Sequence, residues 1–259
     1  VITSKNTGKV FFNSWSMDVK IEGENADRHL DLTTNNHSSV PGDTPPWPFT
    51  AGMTASQLDD CKEDMDNEKA ACSDEKGNYK SVDECCDDKD CQKARSCMLV
   101  PYKDNKTCCA GKTGHHLLPN SLVQNIRDKT ASNVEGLFNE GDKAYTLDKG
   151  PCVCVDGSSN HLGVHGEIHE KTKEKLIPLL TRPGKDMTFT EAKAAVAEAH
   201  TDVIKKDDGT PQCSKKCLEN QIDNSFDRHS TGEVDEIKVR QKDGTTVTNY
   251  VNKRNGTMR

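Results

Sequence analysis

The sequence predicts an α+β protein, a small strand–loop–strand–helix unit with further helices around it and a strand-rich piece before it. Three observations predict this class. Cys152-Val153-Cys154-Val155 and the apolar stretch Gly114-His115-His116-Leu117-Leu118-Pro119 read as short strands. Residues 164–180, 188–204 and 213–226 read as helices, the second opened by the capping box Thr188-Phe189-Thr190-Glu191. Residues 1–48 alternate apolar and polar side chains before breaking into a polar loop.

The elements follow in order. Val10-Phe11-Phe12 and Met17-Asp18-Val19-Lys20-Ile21 supply the early strand pattern, and Pro45-Pro46-Trp47-Pro48 closes it as a proline-rich boundary. Residues 49–110 form an acidic, cysteine-rich linker or helical subdomain, expected as short helices joined by turns, with residues 94–100 packing inward. Residues 111–259 carry the histidine windows and the remaining structure. There the 164–180 helix holds Pro178 near its end, and Cys213 and Cys217 share a helix face at i, i+4. Residues 237–251 read as a hairpin turning at Asp243-Gly244.

Composition narrows the possibilities. Only 32% of residues are apolar and 30% are charged, which leaves little material for one large core. Twelve cysteines, an even number with no CxxC pair, are expected as disulfide staples in a protein that works in, or crosses, an oxidising compartment. No run of eighteen apolar residues marks a membrane span, and no Sec-type leader follows Val1. The start at Val1, without an initiating Met, is expected of a piece of a longer protein.

The formal charge of −7 argues against a nucleic-acid partner only until its distribution is read. Between Asp59 and Asp90, thirteen acidic residues face five lysines, so this segment alone carries the net charge. A basic cluster, Lys171, Lys173, Lys175, Arg182 and Lys185, follows the second histidine window and could meet phosphates. A solvated helix face is the plainer reading of such a cluster.

Five of the nine histidines fall in two short windows, 115–116 and 161–169. Imidazole is the commonest metal-ligating side chain and the usual general base near neutral pH. On a helix, His165 and His169 face the same way about 6 Å apart along the axis, suitable for one cation. On a strand, His115 and His116 point to opposite faces, so a bend or strand end is needed if both serve one site. One could then bind metal while the other deprotonates a water. His200 reads as a helix-face residue outside this set.

The Gly114-His115-His116-Leu117-Leu118-Pro119 motif, preceded by Cys108-Cys109-Ala110-Gly111-Lys112-Thr113, resembles the GHH-signature toxins of the HNH/endonuclease VII nuclease superfamily. The resemblance extends over residues 60–230, including the downstream His-x-x-x-His helix. It implies a ββα-metal core and a divalent ion (Mg²⁺, Mn²⁺, Zn²⁺ or Ni²⁺) cutting DNA. By that likeness His116 activates water, and His115, His165 and His169 hold the metal. Asn160 shapes or completes the site, and His161 takes its place or holds phosphate. Phosphate contacts are expected from Lys112, Lys171, Lys173 and Lys175.

Separately, Gly8-Lys9-Val10-Phe11-Phe12, Asp18 through Asn25, Arg28 through His37 and Pro45-Pro46-Trp47-Pro48 resemble the latter part of a PAAR-like domain. That likeness implies a toxin carried on a type VI secretion spike (VgrG-like), acting in the recipient cytoplasm and blocked in the producer by a cognate immunity protein. Two other readings fit the same residues: an RNase or other phosphodiesterase on this scaffold, and a non-enzymatic binding module stapled by metal and disulfides.

Overall fold

The computed structural model describes residues 47–75, 77–103, 108–124 and 134–241, together with four two-residue strands nearer the start. β1 (Phe11–Phe12) pairs antiparallel with β4 (Thr33–Thr34), and β2 (Lys20–Ile21) with β3 (Glu24–Asn25). Of the rest of the PAAR-like stretch, only Trp47 and Pro48 are among the described residues.

The centre of the fold is a three-stranded antiparallel sheet in the order β5 (Val100–Pro101), β7 (Pro151–Asp156), β6 (Lys112–His116). Both expected strands are present, and they are partners: Gly114 lies opposite Cys154, His115 opposite Val153 and His116 opposite Cys152. Residues directly opposite each other share a face of the sheet. His115, Val153 and Val155 therefore face one side, and His116, Cys152 and Cys154 the other.

Six α-helices among the described residues surround the sheet. α1 (Ala55–Cys72) is far longer than the short helices expected of the acidic zone. The Thr54/Gln57 capping box starts it. The stripe it buries is Cys61, Asp64, Glu68 and Cys72, whose helical spacing an apolar pattern does not reveal. Glu68 is tolerated there because it accepts hydrogen bonds from Trp47 Nε1 and Tyr79 OH, both at 3.2 Å, and pairs with Arg95. α2 (Val82–Asp87) and α3 (Lys89–Arg95) follow, and Ala94, Cys97, Met98 and Leu99 pack inward as expected.

α4 (Gly163–Leu180) and α5 (Phe189–Val203) sit where the sequence places them, α5 opened by the Thr188/Glu191 box. Ala192, Ala195, Ala197 and Ala199 are buried on α5, and such small side chains let α4 and α6 approach closely. α6 (Lys215–Asp227) contributes Leu218, Ile222 and Phe226 to a core shared with Leu117, Leu118, Tyr145, Val153, Val155 and Ile168. No helix among the described residues is long and apolar enough to cross a membrane.

The cysteines staple this small core. Cys61–Cys217, Cys97–Cys213, Cys86–Cys109 and Cys108–Cys154 are bridged. Cys91 is within bonding reach of both Cys72 and Cys85, and since a sulfur takes one partner, that trio contains one bridge and one thiol. Cys152 is a buried free thiol. The expected shared helix face of Cys213 and Cys217 is not formed. The helix begins only after Ser214, whose side chain caps it, and the two cysteines bond to different partners. The turn of the expected 237–251 hairpin lies outside the described residues, and residues 237–241 form no strand.

Candidate metal centre and active site

β6, β7 and α4 form a strand–strand–helix unit that draws three imidazoles together. His115 projects from β6 toward α4, where His165 and His169 stand one turn apart. Their ring centroids are 5.1 Å (His115–His165), 4.8 Å (His115–His169) and 4.8 Å (His165–His169) apart. One nitrogen of each ring lies within 4.8 Å of the other two. The Nε2 atoms of His165 and His169 are 3.1 Å apart.

Local sequence sets this convergence. Gly157, at the turn after β7, has φ 116°, and a Cβ there would come within 2.0 Å of the Leu162 carbonyl oxygen. Glycine thus lets the chain fold back at once into α4, with His165 on its first turn against the sheet.

The chemistry of the donor set fits a cation. His115 is 2% exposed, yet neither ring nitrogen has a hydrogen-bond partner, a costly arrangement for an imidazole with no ligand to bind. Burial, reinforced by repulsion from His169 and His165, holds its pKa well below the ordinary value. Burial and the neighbouring His165 push His169 down to about 4. Burial also lowers His165, opposed by the Gly157 backbone. All three rings are therefore neutral at pH 7, the form that binds metal.

His116 is not part of this cluster. As the strand pleat requires, it faces the opposite side of the sheet, where it stacks on Tyr102 with centroids 4.5 Å apart. Its Nε2 is 3.0 Å from the Leu147 carbonyl oxygen. A carbonyl only accepts, so Nε2 carries the proton and Nδ1 keeps its lone pair. Burial lowers the pKa of His116 despite that hydrogen bond, keeping the ring unprotonated at neutral pH.

The other expected residues are scattered. Asn160 is exposed on the turn before α4. His161 is also exposed, near enough to His169 to help lower its pKa. Lys112 is mostly covered and pairs with Asp156 at 2.9 Å. The basic cluster is spoken for: Lys171 pairs with Glu174, Lys173 with Glu170, Lys175 with Glu198 and Asp202. Arg182 and Lys185 both pair with Glu191.

Sequence reading passed over four contributors. Tyr102 and the Leu147 carbonyl fix His116, and Gly150 leaves room for its ring. His200 lies on the buried face of α5, with Nε2 2.9 Å from the Ser96 carbonyl oxygen. Burial pushes it down to about 4, and it stands close enough to His115 to help keep that ring neutral.

Three imidazoles held by an antiparallel strand pair and the helix after it make a candidate metal site of the strand–strand–helix kind. Residues 112–226 match the family described as GHH signature containing HNH/Endo VII superfamily nuclease toxin 2. The chain is also 33% identical to the DNase toxin Tse7 of Pseudomonas aeruginosa, over an alignment covering 98% of this chain and 73% of that protein. It belongs to this family of HNH/Endo VII nuclease toxins. No solved structure matches it.

Proposed function

We propose that this protein is an antibacterial effector that hydrolyses phosphodiester bonds in the DNA of a recipient cell. The observation that carries the reading is the convergence of His115, His165 and His169 within the strand–strand–helix unit. Similarity to a protein named as a DNase toxin favours DNA over RNA.

In this reading His115, His165 and His169 hold one divalent ion, and three imidazole donors favour the later transition metals such as Ni²⁺ and Zn²⁺ over Mg²⁺ or Mn²⁺. The bound ion would stabilise charge on the phosphate and on the leaving oxygen. His116 accepts a proton from water through Nδ1 at the strand end, and the water oxygen bonds to phosphorus as the strand's P–O bond breaks. Leu147 holds His116 in the required tautomer, and Tyr102 limits its tilt. Asn160 and His161, exposed on the turn before α4, would meet the substrate in this reading. Delivery by a type VI secretion spike through residues 1–48, and a cognate immunity protein, rest on the PAAR-like sequence and on the toxin family.

The test is plasmid cleavage over a series of divalent metals, with total RNA in parallel. Wild type should cut DNA and stop when chelator is added, while remaining folded. His116→Ala should lose cleavage but keep metal binding, and His165→Ala should lose both. Full cleavage by His116→Ala would refute its role as base. Unfolding by chelator would favour a structural metal instead.

A further inference from the structure

Two cavities flank the start of α4, and their charges are opposite. One, about 630 Å³, is lined by Glu167, Glu170, Glu174 and Asp202, with Lys171 the one lysine among its walls. The other, about 450 Å³, lies between α3, the sheet edge and the end of α5. Lys89, Lys93, Lys112 and Lys205 line it, against a single carboxylate, Asp156. Four lysines in one hollow are conspicuous on a chain of net charge −7.

The lysines are gathered from distant parts of the sequence. Lys89 and Lys93 stand i, i+4 on α3 and so share a face. Lys112 opens the catalytic strand, and Lys205 follows α5. Lys89 and Lys205 have no ion-pair partner among the described residues. The carboxylates paired with Lys112 and Lys93, Asp156 and Asp207, are largely exposed, at 63% and 101% of the side chain. The exposed Lys93–Asp207 pair is weak, so an incoming phosphate can replace it, whereas the Lys112 side chain is only 14% exposed.

We propose that this hollow binds backbone phosphates of the DNA substrate, beyond the phosphate held at the metal centre. The proposal rests on the reading of DNA as substrate. Lys112 opens β6 about 10 Å before His115 at the usual strand rise, and by the strand's alternation it faces the same side as His116 rather than His115.

The experiment measures binding of a 20-base-pair duplex by fluorescence anisotropy, in chelator so that nothing is cut, across a salt series. The triple variant Lys89→Gln, Lys93→Gln, Lys205→Gln is compared with wild type. The slope of log K against log salt should become shallower by about 0.9 for each phosphate left without its lysine, hence by up to about 2.7 for the three. Replacing the same three lysines by Arg should restore the wild-type slope. Neutralising Lys62, Lys185 and Lys216 instead should leave it unchanged. A slope within about 0.3 of wild type for the Gln triple overturns the proposal, as does an Arg triple as defective as the Gln triple. The DNase reading fails separately, if wild type with metal does not nick plasmid at all.

Discussion

Gly150→Ala is a one-carbon test of whether His116 performs the chemistry. Gly150 has φ −60° and ψ 144°, a conformation alanine adopts freely, so the backbone is not strained. The added methyl would lie 2.7 Å from His116 Cδ2 and 2.7 Å from the Tyr145 hydroxyl. Ordinary carbon contacts begin near ~3.5 Å, so the imidazole must retreat by roughly 0.8 Å. Tyr145 is fully buried and stacked on Phe226, and its hydroxyl is held by Asn120, so it cannot absorb the displacement. The ring that yields is His116, against its bond to Leu147. A misplacement of about 1 Å at a reacting group costs on the order of 100-fold in rate. Single-turnover cleavage of plasmid should therefore slow by about 30–100-fold. Metal affinity measured by calorimetry should stay within about twofold, because His115, His165 and His169 lie on the other face of the sheet. Overpacking should lower stability by about 1–3 kcal/mol, which thermal unfolding will show. A folded variant cleaving at the wild-type rate would refute the placement of the base. Parallel loss of metal binding would show that the two faces of the strand are not independent.

Two further outcomes follow from the helical half of the molecule. Asp64 is 4% exposed, and burial, opposed by the Ser214 amide, raises its pKa from 3.8 to about 6. A raised carboxyl favours the fold at low pH, fully so below about pH 4, and that contribution is lost as pH rises through 6; the shift corresponds to about 3 kcal/mol. Asp64→Asn, which keeps an oxygen for Ser214, should unfold at a higher temperature than wild type at pH 8 and at nearly the same temperature at pH 4. An equal or lower temperature at pH 8 would contradict the desolvation argument. The Cys61–Cys217 bridge spans 156 residues of sequence and ties α1 to α6. With Cys97–Cys213 intact the loop it closes is effectively residues 61–97 and 213–217, and chain entropy assigns it about 4 kcal/mol. Cys61→Ser with Cys217→Ser should therefore lower the urea midpoint steeply, and an unchanged midpoint would show that α1 packs without it.

What the sequence made legible divides along the strand itself. The spacing of His165 and His169 specifies a shared helix face, and alternation on β6 specifies that only one of His115 and His116 can meet it. Both constraints are local, and the structure obeys both. The partners of His116 are not local: Leu147 and Gly150 arrive through the long connection between β6 and β7, and Tyr102 comes from the end of β5. Nothing in the spacing of those residues marks them. The acidic zone misleads for a related reason. Its long helix buries cysteines and carboxylates rather than aliphatic side chains, so a hydrophobic period finds short helices where covalent bridges and a hydrogen-bonded Glu68 sustain eighteen residues. The lysines are misread in the opposite sense. Clustering along the chain singles out Lys171, Lys173 and Lys175, which α4 and α5 neutralise with their own carboxylates. Lys89, Lys93 and Lys205, which look like incidental charges on an acidic protein, are gathered by folding beside Lys112. Charge density on this surface is thus decided by which helices cross, and an acidic chain can still present a cationic hollow beside β6.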